Sequence, residues 1–115
     1  MSVIVHKRAA TVRPEPLDVQ PGRLSLIDAV SPREGATVSA GVCEIWNDAP
    51  VDFHYDNYCG TWYLLEGHIT LMADEHKYEV EPGDIVHIPR QAGLSVSFAT
   101  PSYGKFFFVT YPNWR

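Results

Sequence analysis

Two histidines, two carboxylates and a thiol stand out as the residues in this chain that could do chemistry. His54 and Asp56 are two apart, so on an extended strand they share a face. A carboxylate beside an imidazole raises the basicity of the ring and makes an acid–base pair. His87 interrupts the apolar run Ile85-Val86-His87-Ile88, where a polar ring needs a hydrogen-bond partner. Together His54, Asp56 and His87 would imitate a two-histidine, one-carboxylate metal triad. The plainer alternative is a solvated loop histidine and a satisfied core histidine. Glu44, in a strand-like segment, is either a buried carboxylate partnered by His54 or His87, or an outward, solvated residue. Cys59 would be reactive if an imidazolium lay beside it. A nucleophilic pair also needs an orienting group and an oxyanion site, and a passive small residue is the simpler reading. Trp62 would wall a cavity or pack as core, and Tyr58 stands near the same segment. His6, in the N-terminal arm, and His76, at a hairpin tip, read as solvated, and His68 as outward-facing.

Short strands separated by turns must position these residues. Leu24–Val30, Val38–Trp46, Val51–Tyr55, Trp62–Leu65, His68–Ala73, Lys77–Val80, Ile85–Ile88, Leu94–Phe98 and Gly104–Tyr111 are apolar, aromatic or alternating runs. Ser31–Gly35, Asn47–Pro50, Ala73–His76 and Glu81–Asp84 are turn clusters between them. Val3-Ile4-Val5 reads as one more short strand. With that segment the count is about ten strands and no helix, so the fold class is all-β, a sandwich or barrel. Residues 1–22, broken by Pro14, Pro16, Pro21 and Gly22, read as an arm laid on the barrel or a partner, and 23–115 as the barrel itself.

The 115 residues suit one domain. Hydrophobic residues at 45% can fill a core, and 20% charged residues is too few for a disordered chain. The net charge is -5, and after Arg33 the basic residues stand singly, which argues against nucleic acid and against an anionic membrane surface. No stretch of 18 apolar residues could span a bilayer. Met1–Arg13 carries neither a continuous apolar core nor a small-residue cleavage site, so the expected location is the cytoplasm, with Cys43 and Cys59 reduced. The segment Lys105–Val109 is apolar on both faces. One face must meet the core, and the other needs an arm or a second subunit over it, so a homodimer is expected.

The stretch Tyr63–Pro89 carries a family resemblance. Gly83 and Pro89 are separated by five residues, and Leu64-Leu65-Glu66-Gly67 puts a glycine at a strand end. These resemble the two motifs of the cupin superfamily, which implies a double-stranded β-helix, or jelly-roll barrel, over roughly residues 41–111. Gly41–Trp46, Asn57-Tyr58 and the ending Phe108–Trp114 look like the small ethanolamine-utilisation (EutQ-like) cupins. That resemblance implies a small, often dimeric cupin.

Metal-dependent cupins supply His-x-His, a Glu and a third His. By that resemblance the four positions fall on His54, Asp56, Gly60 or Thr61, and Leu94, so one ligand of four is kept. EutQ-like members also carry an acidic residue where this chain has Gly60. The sequence therefore reads as a small-molecule-binding cupin with a degenerate metal site and no cofactor. Its pocket would be lined by Glu44, His54, Asp56, Tyr58, Trp62 and His87 and would suit a small polar or cationic ligand. Two rivals stay open. One is a cupin enzyme, metal-assisted or using His54 as acid–base, with no catalytic residue assigned. The other is a structural or regulatory homodimer whose pocket is filled by its own side chains.

Overall fold

The computed structural model describes residues 4–16, 24–46 and 50–114. In chain order its first strands are β1 (Glu15–Pro16), β2 (Leu24–Val30), β3 (Ser39–Trp46), β4 (Val51–His54) and β5 (Cys59–Gly67). They are followed by β6 (Ile69–Ala73), β7 (His76–Val80), β8 (Ile85–Ile88), β9 (Ser95–Ala99) and β10 (Tyr103–Tyr111). Alternation is the reason these segments are strands. In β3 the even positions are half-exposed while Ser39, Gly41, Cys43 and Ile45 are buried, and in β10 Gly104, Phe106, Phe108 and Thr110 are buried.

Two antiparallel sheets result, in the orders β1-β2-β3-β10-β5-β8 and β4-β9-β6-β7. Their inner faces meet as a jelly-roll sandwich, as the all-β reading anticipates. The core is aromatic at its centre. The Trp62 ring lies 4.7 Å from Phe106 and 5.4 Å from Phe98, and Phe53 sits edge-on to Phe98 at 4.9 Å. Each such side chain contributes about 1.5–3 kcal/mol through burial, with roughly 0.5–1.5 kcal/mol more for a well-placed ring pair.

The turns follow their residues. Gly83 has φ +93°, and Asp84 Oδ2 accepts from the Glu81 backbone N–H at 2.9 Å, closing the β7–β8 turn. Asp74 and Glu75 take φ of +48° and +68° between β6 and β7, so this tight hairpin is made without glycine. The Ser31–Gly35 cluster differs from a simple turn. Ser31 and Glu34 form a reciprocal capping box around a 3-10 turn, Pro32–Glu34, and a second 3-10 turn spans Ala9–Thr11. Of the expected N-terminal strand, Ile4 and Val5 are not in a strand and Val3 lies outside the described residues. The arm's strand is instead Glu15–Pro16, paired with Leu26 and Ser25 of β2. Arg23 and Asn47–Ala49 also lie outside the described residues. No described helix is long and apolar enough to cross a membrane.

Candidate functional site

The two sheets leave an aromatic cup between them. Its floor comes from β5 and β10, whose inward positions are Gly60, Trp62, Phe106, Phe108 and Thr110. Phe53 on β4 and Phe98 on β9 form the facing wall, while Leu26 and Cys43 close the side toward β2 and β3. Tyr55 and Tyr58, in the β4–β5 loop, are tilted against each other with ring centres 5.1 Å apart, and Trp114 reaches back from the C-terminal segment. The Trp114 indole donates to Asp28 Oδ1 at 2.7 Å, which ties that segment to β2. The cavity within this cup is narrow, about 30 Å³.

Two polar groups in this wall lack partners. Trp62 Nε1 and Thr110 Oγ1 are buried with no hydrogen bond among the described residues. Trp62 is 2% exposed and Thr110 6%, so bulk water does not serve them. A buried donor left unmade costs about 1–3 kcal/mol and calls for an explanation.

Of the six residues singled out by sequence, Tyr58 and Trp62 line the cup and the other four do not. The apolar residues of β4 and its extension, Val51, Phe53 and Tyr55, face inward, so His54 and Asp56 face out and are exposed. His54 and Trp62 have the same parity in number, but four loop residues and a change of sheet separate their strands, so parity does not carry across. Asp56 instead accepts from the Gly93 backbone N–H at 2.6 Å and pins the β8–β9 loop. His87 is an outward residue of β8, its Nδ1 2.8 Å from Thr61 Oγ1. Glu44 points away from the cup on β3, where the Tyr103 hydroxyl donates to its Oε2. Cys59 lies against the Tyr111 carbonyl oxygen, Sγ to O 3.3 Å, rather than in a catalytic pair. His6 and His76 are exposed, and His68 sits at the edge of the sandwich between Glu81 Oε1 at 2.9 Å and Glu79 Oε2 at 3.4 Å.

Sequence reasoning missed Phe53, Tyr55, Thr110 and Trp114. The alternation Val51-Asp52-Phe53-His54-Tyr55 held the signal for the first two, because its apolar members fall on odd numbers.

Position 60 shows what became of the family's metal end. A Cβ on Gly60 would stand 3.0 Å from the Tyr55 ring and 3.7 Å from its hydroxyl. The tyrosine therefore occupies the place where the resemblance expects a carboxylate. At position 94, where a histidine is expected, the inward residue is the aliphatic Leu94. The residues present do not fit a cupin metal ion, and among the described residues no group of three or more His, Cys, Asp or Glu is arranged to hold one.

The cup is also electrically neutral. Burial pushes the Tyr55 phenol far above its ordinary range, with smaller contributions from Tyr58 and Cys43. Burial likewise raises Tyr58, and it raises the Cys43 thiol with Glu44 adding to the effect. All three hold their protons at neutral pH, and among the described residues no lysine, arginine, histidine or carboxylate lines the cup. Its chemical capacity is recognition by ring faces, one indole N–H, hydroxyls and a thiol.

Comparison with known proteins is consistent with this architecture. The family description "Ethanolamine utilisation protein EutQ" matches residues 3–115. The acetate kinase EutQ of Escherichia coli (strain K12) is 30% identical over 99 residues, which is 84% of this chain and 40% of that protein. The chain thus spans well under half the length of that curated relative. The crystal structure of a putative ethanolamine utilization protein Q from Salmonella typhimurium LT2 superposes with a TM-score of 0.77 at 23% identity, covering 91% of this chain and 83% of that one. The cupin domain of Schizosaccharomyces pombe Cnp3 gives 0.73 at 14% identity, covering 94% and 69%. These two likenesses establish the cupin fold.

Proposed function

This chain belongs to the ethanolamine utilisation protein EutQ family, and on that premise we propose that it is a small-molecule-binding cupin whose ligand occupies the aromatic cup without a metal ion. The observation that carries the reading is the pair of unpartnered groups, Trp62 Nε1 and Thr110 Oγ1, in the wall of a cavity otherwise built from rings. Pockets of this kind combine apolar walls with a few polar groups that fix orientation. Tyr58 and Trp114 are half-buried at the mouth, and a ligand would enter by displacing them. The kinase activity in the relatives' name finds no support at this cup. Transferred phosphoryl groups are held by cationic side chains or metal ions, and among the described residues the walls carry no lysine or arginine. We place the protein in the cytoplasm, where its two free cysteines stay reduced.

A thermal-shift screen of small metabolites, run with and without EDTA, tests this reading. A ligand at one hundred times its Kd stabilises by about 2.7 kcal/mol and raises Tm by roughly ten degrees. The expected hit keeps its shift in EDTA. A shift that vanishes in EDTA and returns with a divalent transition ion overturns the metal-free account.

The narrowness of the cup favours a second reading, a homodimer whose interior is self-filled. Phe107 of β10, Tyr63 of β5 and Ile85 of β8 are neighbours in register on the outer face, and their exposures are 43%, 43% and 72%. A row of this kind needs a cover. A screen without hits, together with a stable dimer, would decide for this reading.

A further inference from the structure

The chemistry of the cup also limits what it can hold. This inference rests on the binding function proposed above and names the class of ligand. An indole N–H donates and cannot accept, so its partner must carry a lone pair. The Thr110 hydroxyl can do either. Strand register places the two groups on adjacent inward steps of one sheet wall, since Trp62 pairs with Phe108 and Gly60 with Thr110. One compact molecule seated against this wall would lie beside both side chains. Around them stand the rings of Phe53, Tyr55, Phe98, Phe106 and Phe108, which favour a flat apolar body. Among the described residues no charged side chain lines the cup, and against these walls an ionised ligand would be desolvated without a counter-charge.

Ring faces alone would also suit a quaternary ammonium, by cation–π attraction. Such a cation carries no lone pair and would leave the Trp62 N–H unmade. The balance of these features favours a neutral ligand with an acceptor oxygen. We infer that the cup binds small, uncharged cyclic molecules bearing a hydroxyl or carbonyl oxygen, with that oxygen accepting from Trp62 Nε1 and meeting Thr110 Oγ1.

Four probes separate this class from its rivals: phenol, cyclohexanone, toluene and tetramethylammonium, titrated into the full chain by calorimetry and ¹H–¹⁵N NMR. Phenol and cyclohexanone are expected to bind about tenfold more tightly than toluene and to move the Trp62 indole N–H resonance, which the Trp62→Phe variant assigns. Trp62→Phe keeps a ring and removes the donor. It should lower the ratio of phenol to toluene affinity about tenfold, since the space it opens acts on both ligands alike and the lost donor on phenol alone. Thr110→Val, nearly equal in volume, should lower phenol affinity several-fold and provides the same test if Trp62→Phe does not fold. Equal affinity for phenol and toluene, or an unchanged ratio in both variants, overturns the acceptor-oxygen class and leaves the cup standing as a binding site. Preference for tetramethylammonium overturns it in favour of a cation. Failure of all four probes overturns the class, and the binding function falls with it only if the metabolite screen is also empty.

Discussion

A side chain added at Gly60 would run into the Tyr55 ring edge, 3.0 Å from the new Cβ. Tyr55 has little room to yield. Its N–H donates to the Leu94 carbonyl at 2.9 Å, its carbonyl accepts from the Gln91 N–H at 3.0 Å, and the residue is 6% exposed. Gly60→Glu, the change toward the carboxylate that the family resemblance expects, should therefore lower stability by about 3 kcal/mol, through overpacking and an unpaired buried charge. Denaturant unfolding measures this, and Tyr55→Ala in the same chain should recover at least about 1 kcal/mol relative to the sum of the single changes. A neutral Gly60→Glu would mean that Tyr55 does not fill that place. The phenols make a second prediction. Burial raises both Tyr55 and Tyr58, so the folded chain keeps these protons more tightly than the unfolded one. Their contribution is fully present below the ordinary phenol range and is lost as pH climbs above it. From about pH 10 upward, stability should fall by up to roughly 1.4 kcal/mol per pH unit for each such group. Tyr55→Phe should flatten that decline, and a slope identical to that of the unaltered chain would refute the assignment.

Strands and turns were legible where local rules decide them. Ile85–Ile88 and Leu24–Val30 have the bounds that their apolar runs predict, because Pro89 ends one and the Ser31–Gly35 cluster ends the other. Glycine at 67 was legible as well, and the structure gives it a sharper reason. Gly67 has φ +84°, and a Cβ there would lie 2.0 Å from the Tyr103 carbonyl oxygen, where β5 and β10 begin to pair just before a register shift between Lys105 and Phe106. Gly67→Ala should destabilise by about 2–4 kcal/mol, well beyond an ordinary strand substitution, as thermal or urea unfolding would register. A loss below about 1 kcal/mol would mean that the two strands are not held this closely at Gly67. The lining of the cup was only partly legible, for a physical reason. Chemistry-bearing side chains draw the eye, but which face they occupy is set by their apolar neighbours. Phe53 and Tyr55 claim the inside of β4 and its extension, so His54 and Asp56 are left outside. Gly60 and Tyr55 are five apart in sequence, and no local rule announces that one ring fills the gap left by the other. Thr110 and Trp62 come to adjacent inward positions through the β10–β5 pairing, which only the sheet order supplies.

The molecule as a whole presents an asymmetry that its inner faces do not explain. On the outer face of the six-stranded sheet, Val42, Phe107, Tyr63 and Ile85 form one row across β3, β10, β5 and β8, each in register with the next. With strands about 4.8 Å apart the row runs roughly 15 Å. Lys105, next along β10, is opposite Glu44 on one side and Glu66 on the other, so charge borders the row rather than interrupting it. An apolar centre with a charged border is the composition of an isologous interface, in which a second copy lays the same row across the first. Ile85 tests this cleanly because at 72% exposure it contributes little to the monomer's core. Ile85→Glu should change monomer stability by no more than about 0.5 kcal/mol, since it disturbs no buried contact. Two copies of that charge brought together across a two-fold axis should weaken association at least tenfold. Sedimentation velocity across a concentration series reads the two effects separately. If the unaltered chain sediments as a monomer at every concentration, the apolar row is not an interface between copies. If Ile85→Glu dimerises as well as the unaltered chain, the contact lies on another face.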